Sequence, residues 1–141
     1  MYVNSNNYIR KIDELGRIVI PKEVRSKLKI QDNESILISL DNNTINISKY
    51  SYLNNYNKFI NELCNQLTEI YKIEVIITDR EKNIFSNLTQ KTTNEYHEDI
   101  IKDSTIIGHI TIYSNLNEDL SRLTKFIART ITIFLTTSQN I

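Results

Sequence analysis

Tyr8-Ile-Arg-Lys-Ile-Asp-Glu-Leu-Gly-Arg-Ile-Val-Ile-Pro-Lys-Glu-Val-Arg-Ser-Lys-Leu-Lys29 interlocks basic residues, a turn signal and β-branched residues, and the rest of the chain is read outward from it. Two β-rich runs, Tyr8 to Asp13 and Arg17 to Ile20, flank Asp13-Glu14-Leu15-Gly16, where Gly16 supplies the unrestricted φ that a tight hairpin loop needs. The pattern predicts a β-ribbon. Pro21 fixes its own φ and donates no amide hydrogen, so the second strand stops there and a short helix begins, with Val24 and Leu28 four apart on one face. Seven basic residues (Arg10, Lys11, Arg17, Lys22, Arg25, Lys27 and Lys29) stand against Asp13, Glu14 and Glu23, a net of +4.

Whole-chain composition bounds what this stretch serves. A length of 141 residues gives room for one ordinary domain or two small ones. The formal net charge of zero conceals an asymmetry, because residues 51–141 hold nine Lys and Arg against eleven Asp and Glu. A basic head on a mildly acidic body suits a polyanion at one end only. A single cysteine, Cys64, excludes an intrachain disulfide and a cysteine-based zinc site. It sits one place off a helical seam, which suggests a half-buried inert thiol rather than a redox switch. No apolar run approaches the roughly 20 residues that span a bilayer, and Met1 to Asn7 lacks the features of a signal peptide, so no membrane and a cytoplasmic location are expected. No phosphate-cradling glycine loop, nucleophile elbow or zinc spacing occurs, so neither enzyme activity, nor a metal, nor a cofactor is expected. His97 and His109 lie on different predicted elements and read as surface or structural histidines. Glu95, Glu98, Asp99 and Asp103 read as a solvated acidic face.

Beyond the basic stretch, Glu34 to Leu40 and Thr44 to Ser48 alternate apolar and polar around Asp41-Asn42-Asn43, a second hairpin with Asn in the left-handed positions. A core this small needs disulfides, metal or a partner chain, and only the last remains. From Tyr52 to Tyr71 the apolar residues Leu53, Tyr56, Ile60, Leu63, Leu67 and Ile70 recur at spacings of 3 and 4. Such a seam reads either as a helix lying on its own domain or as a self-associating helix between two dimeric halves; its narrowness favours the second. Ile73 to Asp79 forms a strand, Arg80 to Asn83 a turn into Ile84-Phe85, His97 to Lys102 a short helix, Ile106 to Ser114 a strand and Asn117 to Thr137 a long helix. Residues 86–99 are too polar to place.

Arg10, Lys11, Asp13, Leu15, Gly16, Arg17, Pro21, Glu23 and Arg25 fall in register with the N-terminal signature of the AbrB family of swapped-hairpin transcription factors, which residues 8–50 resemble. Lys49-Tyr50-Ser51, the helix after it and Ile106 to Ser114 followed by an amphipathic helix look most like the stage V sporulation protein T branch of that family. The resemblance implies an α+β chain: a swapped-hairpin AbrB-type dimer domain over residues 1–51, a linker helix over 52–71 and a compact GAF-like domain over 72–141. It implies double-stranded DNA as partner, a homodimer or homotetramer, and DNA contacts by Arg10, Lys11, Arg17 and Arg25, with Lys27 beside them. Asp13, Gly16 and Glu23 would support the site. On a hairpin, Arg10 and Arg17 sit symmetrically before and after the turn and reach outward together. The alternative is that these are ordinary solvated charges, with Arg25 merely paired to Asp13 or Glu23, although a pairing with Asp13 is compatible with a DNA contact. Ser26 stands where many members have a second arginine. A small-molecule ligand of the GAF-like domain is a further partner that the resemblance implies, although the branch's sensors are longer than the roughly 90 residues that follow the head here, the shortfall falling in the loops that wall the ligand cavity. The implied role is a developmental, sporulation or stationary-phase regulator of transcription. Two rivals stand beside it: an antitoxin, whose related head carries a disordered toxin-binding tail, and a metabolite sensor whose head merely dimerises.

Overall fold

A computed structural model describes residues 7–80, 82–89 and 94–138. The chain divides into two compact units, Met1–Tyr50 and Ser51–Ile141.

In the first unit the predicted turn forms around Gly16, whose φ is +74°. The Gly16 amide donates to the Asp13 carbonyl at 3.0 Å, and the Asp13 amide donates to the Arg17 carbonyl at 3.1 Å. The expected ribbon stops at this closure. Neither arm is a strand, and Asp13–Arg17 is the one backbone pair joining them among the described residues. A ladder needs a facing amide and carbonyl at alternate positions, and beyond that pair the described residues offer the arms none. Pro21 then opens α1 (Lys22–Lys27). The second hairpin forms as expected from β1 (Ile36–Asp41) and β2 (Thr44–Lys49), with Asn42 at φ +50° in its loop.

No residue from 7 to 50 is buried. Ile9, Leu15, Val19, Ile38, Leu40 and Ile45 are each more than 60% exposed. Burying six such side chains contributes roughly 9–18 kcal/mol, comparable with the stability of an entire domain.

The second unit has an interior of its own. Its elements are α2 (Tyr52–Asn55), α3 (Asn57–Tyr71), β3 (Glu74–Thr78), β4 (Asn83–Ser86), β5 (Asn94–Lys102), β6 (Thr105–Ser114) and α4 (Ser121–Ser138). The four strands form one antiparallel sheet in the order β4-β3-β6-β5. Val75, Ile77, Ile110 and Ile112 of the sheet and Ile60, Leu67, Ile131 and Leu135 of the helices share one core. Phe59 of α3 stacks on Phe134 of α4, with ring centroids 3.6 Å apart and planes 10° from parallel.

Three expectations are corrected here. The helix predicted over 52–71 is interrupted at Tyr56 (φ −112°, ψ 26°), although Ser51 caps its first turn by accepting from the Asn54 amide. His97 to Lys102 is not helical but lies in β5, an extended strand paired along its whole length with β6. The seam Leu53, Tyr56, Ile60, Leu63, Leu67 and Ile70 covers this unit's own sheet: Leu53, Ile60 and Leu67 are buried, Tyr56 and Leu63 pack against the same core, and Ile70 stays exposed. With Phe59 and the fully buried Cys64 added, the apolar stripe is wider than a coiled-coil seam. A sheet face rich in Val and Ile demands a lid, and this helix supplies it.

Gly108 marks how closely that lid approaches. A Cβ built at Gly108 falls inside contact distance of both the Leu53 side chain and the Thr78 carbonyl oxygen. Gly108→Ala is expected to destabilise the second unit by about 1–3 kcal/mol through overpacking, measured as a lowered urea midpoint with unchanged slope.

Candidate nucleic-acid interface

The basic turn is held by one carboxylate. Asp13 Oδ1 accepts from the Arg17 amide at 2.8 Å and from the Leu15 amide at 3.0 Å, while Oδ2 accepts from Arg17 Nε at 2.7 Å. These three bonds freeze the loop and the root of the Arg17 side chain together. Arg17 remains 72% exposed, and its two terminal nitrogens have no partner among the described residues. Arg17 is the residue opposite Asp13, so it stands at the closing pair of the loop; Arg10 lies three residues down the other arm, and the expected symmetry of the two about the turn is not found. Arg10 donates to the Ile9 carbonyl at 2.9 Å and, like Lys11, is exposed.

Arg25 takes a different partner from those expected. It pairs with Asp32 at 3.6 Å, not with Asp13 or Glu23, because Asp13 is already committed to Arg17. Both side chains of that pair are largely exposed, and such pairs contribute little. Its Nε is buried without a partner among the described residues. Lys27 sits in the last turn of α1 and Glu23 in the first, where each complements the helix dipole. Lys49 of β2 bridges to Glu34 at 3.6 Å and donates to the Lys29 carbonyl at 3.2 Å, which ties the second hairpin to the end of the basic stretch.

Elsewhere, the structure brings together two histidines that the sequence reading kept apart. His97 and His109 face each other across β5 and β6 with ring centroids 5.3 Å apart and Asp99 between them. Cys64 is fully buried rather than half-buried, and burial pushes its thiol up to about 12. Between β5 and α4 an open groove of about 650 Å³ is lined by Glu98, Ile101, Lys125, Arg129, Thr132 and Ile133.

The carboxylate-pinned turn, the basic helix after it and the second hairpin all lie within one stretch that matches a known family. Residues 9–53 match the family described as "Antidote-toxin recognition MazE, bacterial antitoxin". The chain is 32% identical over 80 residues to stage V sporulation protein T of Bacillus subtilis, a match covering 56% of this chain and 45% of that protein. It is 42% identical over 50 residues to the transition state regulatory protein AbrB of the same organism, covering 36% of this chain and 52% of that protein. The chain thus spans about half the length of the curated relatives it matches. The N-terminal unit is an AbrB-type domain, and sporulation protein T is similar over a longer stretch than AbrB itself.

Two measurements check this description. Asp13 accepts from the Arg17 amide, the Arg17 guanidinium and the Leu15 amide, and these bonds hold its carboxyl below the ordinary value of 3.8. A carboxyl depressed on folding adds stability above its unfolded pKa that disappears as pH falls through the lowered one. The Leu15 and Arg17 amide resonances are therefore expected to titrate together with a midpoint below 3.8; a midpoint at or above that value removes Asp13 from this role. Cys64 is expected to ignore Ellman's reagent in the native protein at pH 8 and to react with one equivalent in denaturant, because only the thiolate attacks.

Proposed function

We propose that the chain is a sequence-specific, DNA-binding regulator of transcription that acts in the cytoplasm as a homo-oligomer, with no catalytic role. One observation carries this reading. Residues 8–29 carry a net charge of +4 on a pinned turn, its arms and the helix after it, and none of residues 7–50 is buried, so basic residues and unburied apolar side chains share the same 44 residues. A second copy resolves both features. Interleaved hairpins supply the missing ladder partners for Tyr8 to Asp13 and Arg17 to Ile20, cover Ile9, Val19, Ile38 and Leu40, and double the basic ridge.

Duplex DNA suits that ridge. A two-stranded ribbon fits the major groove, where an arginine fork meets guanine O6 and N7. Arg17 is the first choice for that fork, because Asp13 takes Nε and leaves the two terminal nitrogens to bond a base edge. Arg10, Lys11, Arg25 and Lys27 neutralise phosphates, releasing counterions. The names of the relatives, a sporulation protein and a transition state regulator, support a developmental or stationary-phase programme. Residues 72–141 we take as a compact GAF-like domain, supported by an antiparallel sheet that shares its core with α2, α3 and α4. A small-molecule ligand is an optional addition to this reading, since the cleft between β5 and α4 is an open groove rather than a closed cavity.

The antitoxin rival needs a disordered toxin-binding tail after the head. Residues 51–141 instead form a compact unit with its own apolar core, which weighs against it.

Arg17→Ala is expected to weaken operator binding by about 5- to 150-fold, from the roughly 1–3 kcal/mol that a bidentate base contact is worth. Mass by light scattering should stay that of the parent. The parent's log–log salt slope should be about −4 or steeper. Equal affinity of Arg17→Ala and the parent at physiological salt overturns the reading.

A further inference from the structure

We propose that His97, Asp99 and His109 bind one divalent late-transition-metal ion of the zinc, nickel or cobalt class. The chain contains two histidines, and both are here. The β5–β6 register sets Asp99 directly opposite His109, and His97 directly opposite Thr111. Residues two apart on a strand share a face, so all four side chains occupy the face of the sheet opposite Ile110 and Ile112.

The donor atoms of the three ligands lie within 4.8 Å of one another. His109 Nδ1 is 2.8 Å from Asp99 Oδ1, and His97 Nε2 is 3.5 Å from the same oxygen. Ligands held at about 2.0–2.2 Å around one tetrahedral ion stand roughly 3.3–3.6 Å apart. The 3.5 Å separation falls in that range and the 2.8 Å one is shorter, so small rotations of exposed side chains open the site to an ion. His97 is further oriented by Thr111, whose hydroxyl lies 3.1 Å from Nδ1 and leaves Nε2 as the donor. A fixed second nitrogen is the support that metal-binding imidazoles use.

Donor chemistry selects the ion. Two imidazoles and one carboxylate suit zinc, nickel or cobalt, whereas calcium and magnesium require oxygen ligands throughout. His97 and Asp99 are 52% and 40% exposed, so water completes the coordination shell. The chain's one thiol, Cys64, is buried in the core and does not compete. The bound ion would staple β5, the edge strand of the sheet, to β6.

The test uses the full chain freed of any polyhistidine tag. Calorimetric titration with ZnCl2 is expected to give one ion per chain, and titration with CoCl2 a visible absorption band. His97→Ala, Asp99→Asn and His109→Ala should each weaken zinc binding by about tenfold or more, and Thr111→Val by a smaller factor. A second measurement needs no variant: on zinc addition, the ring-proton NMR signals of both histidines should shift together and saturate at the same ratio. The proposal fails if no binding saturates below a Kd of about 1 mM, if the His97→Ala/His109→Ala double variant binds like the parent, or if fewer than both histidine signals respond.

Discussion

Residues 7–50 contain more apolar side chain than they can hide, and every other property of the head follows from that shortage. Its local structure is nevertheless complete: Gly16 turns the chain, Asp13 fastens the turn, and Glu34 and Lys49 tie the second hairpin down. What is missing is an interior. A tight turn, one two-stranded hairpin and six residues of helix have too few layers to enclose Ile9, Val19, Leu40 and Ile45. The proposed interleaving of two chains answers this with the same residues that would carry the DNA contacts, so folding and binding become one requirement rather than two.

Within the head, Asp13 settles how the cations are distributed. By accepting three bonds it holds Arg17 at the closing pair of the loop and is lost to Arg25, which turns to Asp32 instead. The two arginines therefore differ in preorganisation. Arg17 is fixed at its root by a charge-assisted bond, a favourable state for a bidentate fork, while Arg25 leans on an exposed acid. A positioned guanidinium loses less entropy on binding than a free one, which is why the proposed reading gives the base contact to Arg17 and a supporting charge to Arg25.

The second unit reverses the logic of the first. Its sheet presents Val75, Ile77, Ile110 and Ile112 to one core, and the seam of α2 and α3 is consumed in covering them. That helix surface is then not free to zip onto another copy of itself. Among the described residues of the second unit's helices, the apolar side chains left exposed are Ile70, at the end of the seam, and Tyr71, Phe126 and Ile133, which lie outside it. On the opposite face of β5 and β6 the two histidines meet over one carboxylate.

By itself the sequence determined the glycine turn in the basic stretch, the helix opened by Pro21, the second hairpin at Asn42 and the α+β class, because each rests on local chemistry: a φ preference, a missing amide hydrogen, an alternation of period two. Tertiary structure decided the rest. The seam of residues 53–70 has the same spacing whether it meets its own sheet or another helix, and only the presence of an uncovered sheet face chose between them. Strand β5 escaped sequence reading because its loop uses Asp103 and Ser104 at φ +49° and +63°, without the glycine that usually announces such a turn. With that hairpin unseen, His97 and His109 seemed unrelated; pairing across the loop places residues twelve apart in sequence on facing strands, a proximity that hydrogen bonding between strands creates and no spacing along the chain records.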